Sequence, residues 1–334
     1  MTTADAPAER QLVYTLAITE GVRQALQEDP LAFMAGEDIG EAGSVFGIYR
    51  GLYDEFGPDR VLDTPISESG IIGLAVGAGA TGLKPIVDIM FMDFIGECMD
   101  EIVNQLAKMR YMFGGKATLP VTVLTMSGAG LNLAAQHSQS LEAWLCHTPG
   151  LKVVMPATAY DVKGAIITAA REPNPVFVVM CKGLMALPGD VPEEPYTLPI
   201  GKAKVVREGE GLTIVAHGRM IHEATKAADL LEADGVSVEV IDPLWLQPLD
   251  TETIINSVSK THNALVVHEA VRFGGIGAEI AAQIAELSFD YLDAPVARVA
   301  APFSPVPFSP VLEQSYVPNA ERIATEAKRI LGLG

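Results

Sequence analysis

Short apolar runs separated by helix-length stretches recur along almost the whole chain, and this alternation limits the possible folds more than any other feature. In the first half the runs at 31–35, 85–91, 120–125, 152–155 and 175–180 are too short for helices and too uniformly apolar for strands wetted on one face. Helical patterns lie between them, one over about 12–27 and the longest over 93–112, where Phe94, Met99, Ile102, Val103 and Leu106 share a face. Apolar strands joined through helices predict a parallel sheet buried on both faces.

Around residues 184–201 the pattern lapses. Pro188, Pro192, Pro195 and Pro199 disfavour regular structure there, which predicts a linker over 188–199. The alternation then restarts, with strands near 212–217, 236–241, 264–268 and 296–299 and helices near 220–234, 251–258, 276–288 and 319–331. The expected architecture is α/β, with two doubly wound domains at 1–187 and 200–334.

Charge and cysteine content exclude several classes of function. A formal net charge of −19 repels phosphate backbones and anionic membrane surfaces, so neither nucleic acid nor membrane is an expected partner. The three cysteines, Cys98, Cys146 and Cys181, are widely spaced in apolar surroundings and read as buried thiols of a reducing compartment. The first ten residues lack the basic and apolar regions of a signal peptide, and no run reaches the length of a membrane span. A cytoplasmic enzyme is expected.

Four constellations could carry chemistry. Gly77-Ala-Gly-Ala-Thr-Gly82 matches a dinucleotide-binding fingerprint, which would make the chain a nicotinamide-dependent oxidoreductase. That fingerprint needs a strand before it and a helix after it, and here the order is reversed, so small residues at Gly73, Gly77 and Ala80 are read as a close helix or subunit contact. Glu68 stands before this helix in a turn-rich segment, and the residues alone favour a helix-start acid over a catalytic carboxyl. His137 follows the loop Ser127-Gly-Ala-Gly130, where proton transfer and a structural hydrogen bond are both open roles. The remaining histidines have no ligand spacing for zinc. The acidic pairs Glu37-Asp38, Asp100-Glu101 and Glu193-Glu194 are read as surface or interface charge.

Taken together, Gly36-Glu-Asp-Ile-Gly40, Asp63-Thr-Pro-Ile-Ser-Glu68, Asp93-Phe94, Asn104-Gln-Leu-Ala-Lys108, Arg110-Tyr-Met-Phe-Gly-Gly115, Gln136-His-Ser-Gln139 and Pro149-Gly-Leu-Lys-Val-Val154 resemble the β subunits of thiamine-diphosphate-dependent dehydrogenases acting on pyruvate, other 2-oxo acids or acetoin. The likeness continues through Tyr160-Asp-Val-Lys-Gly164, Gly201-Lys-Ala203, Glu239-Val-Ile-Asp242, His268-Glu269 and Leu292-Asp-Ala-Pro295. It implies a pyrimidine-binding domain followed by a transketolase C-terminal-like domain. It assigns Glu68 to a ring nitrogen of the cofactor's aminopyrimidine, Phe94 to packing against that ring, and His137 to substrate orientation and proton movement during transfer to lipoamide.

The same resemblance implies that an α subunit completes the site. The family's α chain holds magnesium and the diphosphate with a Gly-Asp-Gly segment that is missing here. The expected assembly is α2β2 with a β–β contact, docked on a lipoyl acyltransferase core. A structural potassium ion is implied at Val121, Ala169, Ala170, Glu172 and Asn174, with Glu172 standing where aspartate is common. Glu101 replaces a usual glutamine. The competing expectations are the nicotinamide enzyme and a non-catalytic scaffold subunit.

Overall fold

The computed structural model describes residues 10–333; residues 1–9, on which the signal-peptide reading rests, lie outside them. A seven-stranded sheet runs in the spatial order Trp245–Gln247, Lys152–Val154, Val176–Cys181, Thr122–Ser127, Lys84–Phe91, Ala32–Gly36 and Val61–Asp63. Every neighbouring pair is parallel except the first. The strands Thr122–Ser127 and Val176–Cys181 are buried at every residue, which is why they read as unbroken apolar runs. A five-stranded sheet follows in the order Ala297–Ala301, Ala264–Val271, Leu212–Ala216, Val238–Asp242 and Lys204–Arg207, parallel but for its last pair.

Helix Tyr14–Glu28 packs closely on helix Ala159–Arg171. A Cβ at Gly21 would sit 3.2 Å from the Lys163 carbonyl oxygen, so only glycine permits this approach without a shift. Thr158 starts the second helix by accepting the Asp161 N–H at 3.1 Å.

The linker has more structure than its prolines predict. Residues Pro188–Asp190 form a strand antiparallel to Gln11–Val13, and Pro188 is its first residue, where a missing N–H is tolerated. Beyond it the fully buried Lys163 ammonium meets the carbonyls of Pro192, Glu193 and Glu194 at 2.5, 2.9 and 3.2 Å. The same ammonium pairs with Glu20 at 2.7 Å. A buried charge must be paired, and here its pairing holds the connection down.

Two further features depart from the sequence reading. The chain returns from beyond the linker to add Trp245–Gln247 to the edge of the first sheet, with Trp245 wholly buried. The helix expected over 93–112 is instead a 3₁₀ turn at Met92–Gly96, a π-helical segment at Glu101–Leu106 and a short α-helix at Met109–Met112. Ala107 N–H donates to Ile102 O at 3.0 Å, a π-type bond that admits one extra residue to the turn. Ile102 and Leu106 remain buried, so the apolar face survives the change of winding.

Candidate active site

Five adjacent strands of the first sheet end on one edge, and each delivers a polar or aromatic side chain there. Ala32–Gly36 leads to Glu37, Val61–Asp63 to Glu68, Lys84–Phe91 to Asp93 and Phe94, Thr122–Ser127 to the loop bearing His137, and Val176–Cys181 to Lys182. The carboxyl ends of parallel strands are where such sheets hold ligands.

His137 stands in an aromatic cluster. Its ring centroid is 4.9 Å from Phe91 and 5.5 Å from Phe94, both edge-on, while Phe91 also meets Phe94 at 5.6 Å and Phe46 at 5.3 Å. Such edge-to-face contacts fix ring orientation. Neither ring nitrogen of His137 has a hydrogen-bond partner among the described residues, so the structural hydrogen bond left open by the sequence is absent there. Asp93 Oδ1 braces the end of the loop by accepting Gln139 N–H at 3.1 Å and Gln139 Nε2 at 2.9 Å.

Glu68 is the first residue of helix Glu68–Ala80, where the helix dipole favours a carboxylate. It is only 8% exposed, and its carboxyl has no hydrogen-bond donor among the described residues. Glu37, 7% exposed, lies close enough that burial and then the charge of Glu68 push its own carboxyl up, against the Ser67 N–H that it accepts at 3.2 Å. Burial, then Glu68 and Glu101, push the Cys98 thiol up to about 12. Cys98 Sγ in turn lies 3.8 Å from Phe94 O, which ties Glu68 to the turn bearing the aromatic cluster.

Sequence reasoning missed Glu37, Phe91 and Lys182. Glu37, expected as surface or interface charge, is buried beside Glu68 within this chain. The usable signal was position, since each of these residues ends or follows a short apolar run. Beside the His137 loop a cavity of about 410 Å³ opens against the second sheet, lined by Ser138, Leu141, Glu269, Phe303, Val306 and Tyr316.

Residues 10–188 match the transketolase pyrimidine binding domain and residues 201–323 the transketolase C-terminal domain. The chain is 46% identical to acetoin:2,6-dichlorophenolindophenol oxidoreductase subunit beta of Cupriavidus necator, with 96% of this chain and 98% of the relative covered. It is 45% identical to pyruvate dehydrogenase E1 component subunit beta of Bacillus subtilis, over 96% and 99% of the two chains. The chain belongs to the β subunits of thiamine-diphosphate-dependent dehydrogenases. Its fold is shared with a split-gene transketolase described as an inactive β4 tetramer, at a TM-score of 0.78 and 24% identity over 96% of this chain and 99% of that one.

The residues of this β subunit fit the aminopyrimidine half of the cofactor. A buried carboxyl lacking a protein donor and a cluster of aromatic side chains both stand at the carboxyl-end edge of this sheet, which suits a flat heteroaromatic ring that brings its own N–H. Among the described residues no group of three or more His, Cys, Asp or Glu side chains could hold a metal ion.

At the residues expected to hold potassium the structure shows an internal ion pair. Glu172 Oε1 pairs with Lys152 Nζ at 3.0 Å and accepts Asn174 Nδ2 at 2.6 Å, while the carbonyls of Ala169 and Val121 accept the N–H groups of Glu172 and Val176 at 3.1 and 3.0 Å. An ammonium already supplies the positive charge at this carboxylate, so the Glu172 side chain does not fit as an ion ligand. Nothing in the structure explains Glu101 in place of glutamine. Gly77 lies within helix Glu68–Ala80 and a strand follows at Lys84–Phe91, the reverse of a dinucleotide cradle.

Proposed function

We propose that this β subunit joins an α subunit in a thiamine diphosphate site that cleaves pyruvate or acetoin and passes the acyl group to lipoamide. The observation that carries the reading is Glu68, a buried carboxyl without a protein donor at the ligand edge of the sheet. When bound, thiamine diphosphate supplies the nucleophilic carbon and electron sink that the cleavage needs.

Each side chain of this subunit has a task in that site. Glu68 holds a proton at a pyrimidine ring nitrogen and so selects the ring's tautomer. Phe94 packs against the ring, while Phe91 and Phe46 extend the apolar wall that excludes water. His137, its ring set by Phe91 and Phe94, moves a proton at the substrate oxygen during transfer to lipoamide.

The division of the chain supports the same reading. Residues 1–187 form the pyrimidine-binding part and 200–334 the C-terminal part, joined through 188–199. Magnesium and the diphosphate fall to the α subunit, because this sequence has no Gly-Asp-Gly segment. The assembly is α2β2, with a β–β contact through the small-residue helix and a lipoyl acyltransferase core as the outer partner.

The test is Glu68→Gln in the enzyme assembled with its α subunit. Fold and assembly remain, and turnover falls by about 10²–10⁴-fold, the range of a general acid–base group. An assembled variant with wild-type turnover overturns the reading. Comparing kcat/KM for pyruvate and acetoin in the same preparation assigns the substrate.

A further inference from the structure

The loop that presents His137 is poorly held by its own backbone. Asn132 and Ala134 both have φ in the left-handed region, at +56° and +60°, which is strained for alanine and must be held by contacts from elsewhere. The beginning of the loop is anchored: Ala129 N–H donates to Glu269 at 2.6 Å, and Gly130 and Asn132 N–H donate to Glu313 at 3.0 and 3.2 Å. Its end is anchored by Asp93 through Gln139. Between these anchors, among the described residues, one side chain hydrogen-bonds the backbone of residues 133–138, and it is Lys182, which donates to the His137 carbonyl.

Lys182 is well placed for this. It follows strand Val176–Cys181 directly and is 1% exposed. Its ammonium lies 5.1 Å from the Phe91 ring centroid, and Phe91 is the ring that meets His137 edge-on at 4.9 Å. One cation therefore holds both the backbone of His137 and a ring that orients its imidazole. Burial lowers the Lys182 ammonium to about 8, against the pull of Asp93, Glu269 and Glu313.

We propose that Lys182 is a positioning residue for His137, holding the loop and the imidazole in the orientation used for proton movement. The catalytic importance of that orientation rests on the function proposed above, whereas the contact itself does not. The loop's strain gives the proposal its consequence: without the ammonium the backbone of residues 133–138 loses its one side-chain hydrogen bond among the described residues, and the hold on His137 within the aromatic cluster loosens.

The isolated chain tests this without cofactor or partner. Carbethoxylation of His137 by diethyl pyrocarbonate is followed by mass spectrometry in wild type, Lys182→Met, Lys182→Gln and Lys182→Arg. Loss of a hydrogen bond from a charged donor should raise the rate at His137 by about tenfold in the Met and Gln variants, and Arg should restore it towards wild type. In the assembled enzyme the Met variant should lose kcat with KM for substrate unchanged. A wild-type rate at His137 in whichever of the Met and Gln variants folds overturns the proposal, even if its melting temperature falls. Failure of the thiamine reading would instead appear as wild-type turnover in Glu68→Gln, with the His137 reactivity shift intact.

Discussion

Lys152 and Glu172 form a half-buried ion pair, Nζ to Oε1 at 3.0 Å, at a place where the family resemblance puts a potassium ion. Burial disfavours ionised Glu172, but the bonds from Asn174 and Lys152 outweigh it and hold the carboxyl below its usual range.

Two results follow for ion dependence. Wild-type thermal stability should be the same in potassium and sodium chloride at equal ionic strength. Lys152→Met should lose on the order of 1 kcal/mol, because the pair is partly solvated, and should acquire a dependence on monovalent cations. A wild-type melting temperature that rises specifically with potassium would contradict the internal pairing.

Glu142 sets a pH dependence. It is wholly buried, with both carboxyl oxygens unpartnered among the described residues, and burial, reinforced by Glu269, pushes it up to about 7. Because its folded value is raised, the protonated form is favoured by folding. Its stabilising contribution is complete below the ordinary carboxylate value and is lost as pH rises through about 7. Glu142→Gln, which cannot ionise, should therefore gain on wild type as pH rises from about 5 to 8, by a few kcal/mol at most, at about 1.4 kcal/mol per pH unit. Urea titrations across that range decide it, and a difference that stays constant with pH would rule out ionisation at this site.

The small-residue helix makes a prediction about assembly. A Cβ at Gly73 or Gly77 would meet nothing within 4 Å in this chain, and both glycines are exposed. Gly77→Leu should leave the folded chain as stable as wild type, yet weaken the β–β contact by about 1–3 kcal/mol through steric separation of the packed backbones. Sedimentation velocity of wild type and variant provides the comparison. An unchanged dimer fraction would place the contact elsewhere.

Most of the framework was determined by the sequence alone. The buried central strands fall close to the apolar runs, because a strand buried on both faces has no polar position and announces itself by composition, whereas the short edge strands Val61–Asp63, Lys204–Arg207 and Trp245–Gln247 gave no such run. Local position alone marked His137 as a candidate and left Glu68 a helix-start acid, so the roles expected of Glu68 and Phe94 came from the family resemblance. Local pattern also misled in places. The apolar face of 93–112 is compatible with α and π winding alike, and only the packing of Ile102 and Leu106 chose between them. The prolines of 188–199 predict no regular structure, while Lys163, some thirty residues earlier, orders their carbonyls.

What the tertiary structure decided is which charges share a site. Glu37 reads as half of an acidic pair at a surface or interface, and only the pairing of strand Ala32–Gly36 with Val61–Asp63 brings it beside Glu68. Lys182 carries no motif and becomes a partner of His137, 45 residues away in sequence, because the strands that precede the two residues end side by side. Glu172 meets Lys152 only because strand Lys152–Val154 brings that lysine beside it. Hydrophobic burial follows local periodicity and is therefore written along the chain. The pairing of buried charges depends on distances across the sheet, which no local pattern encodes.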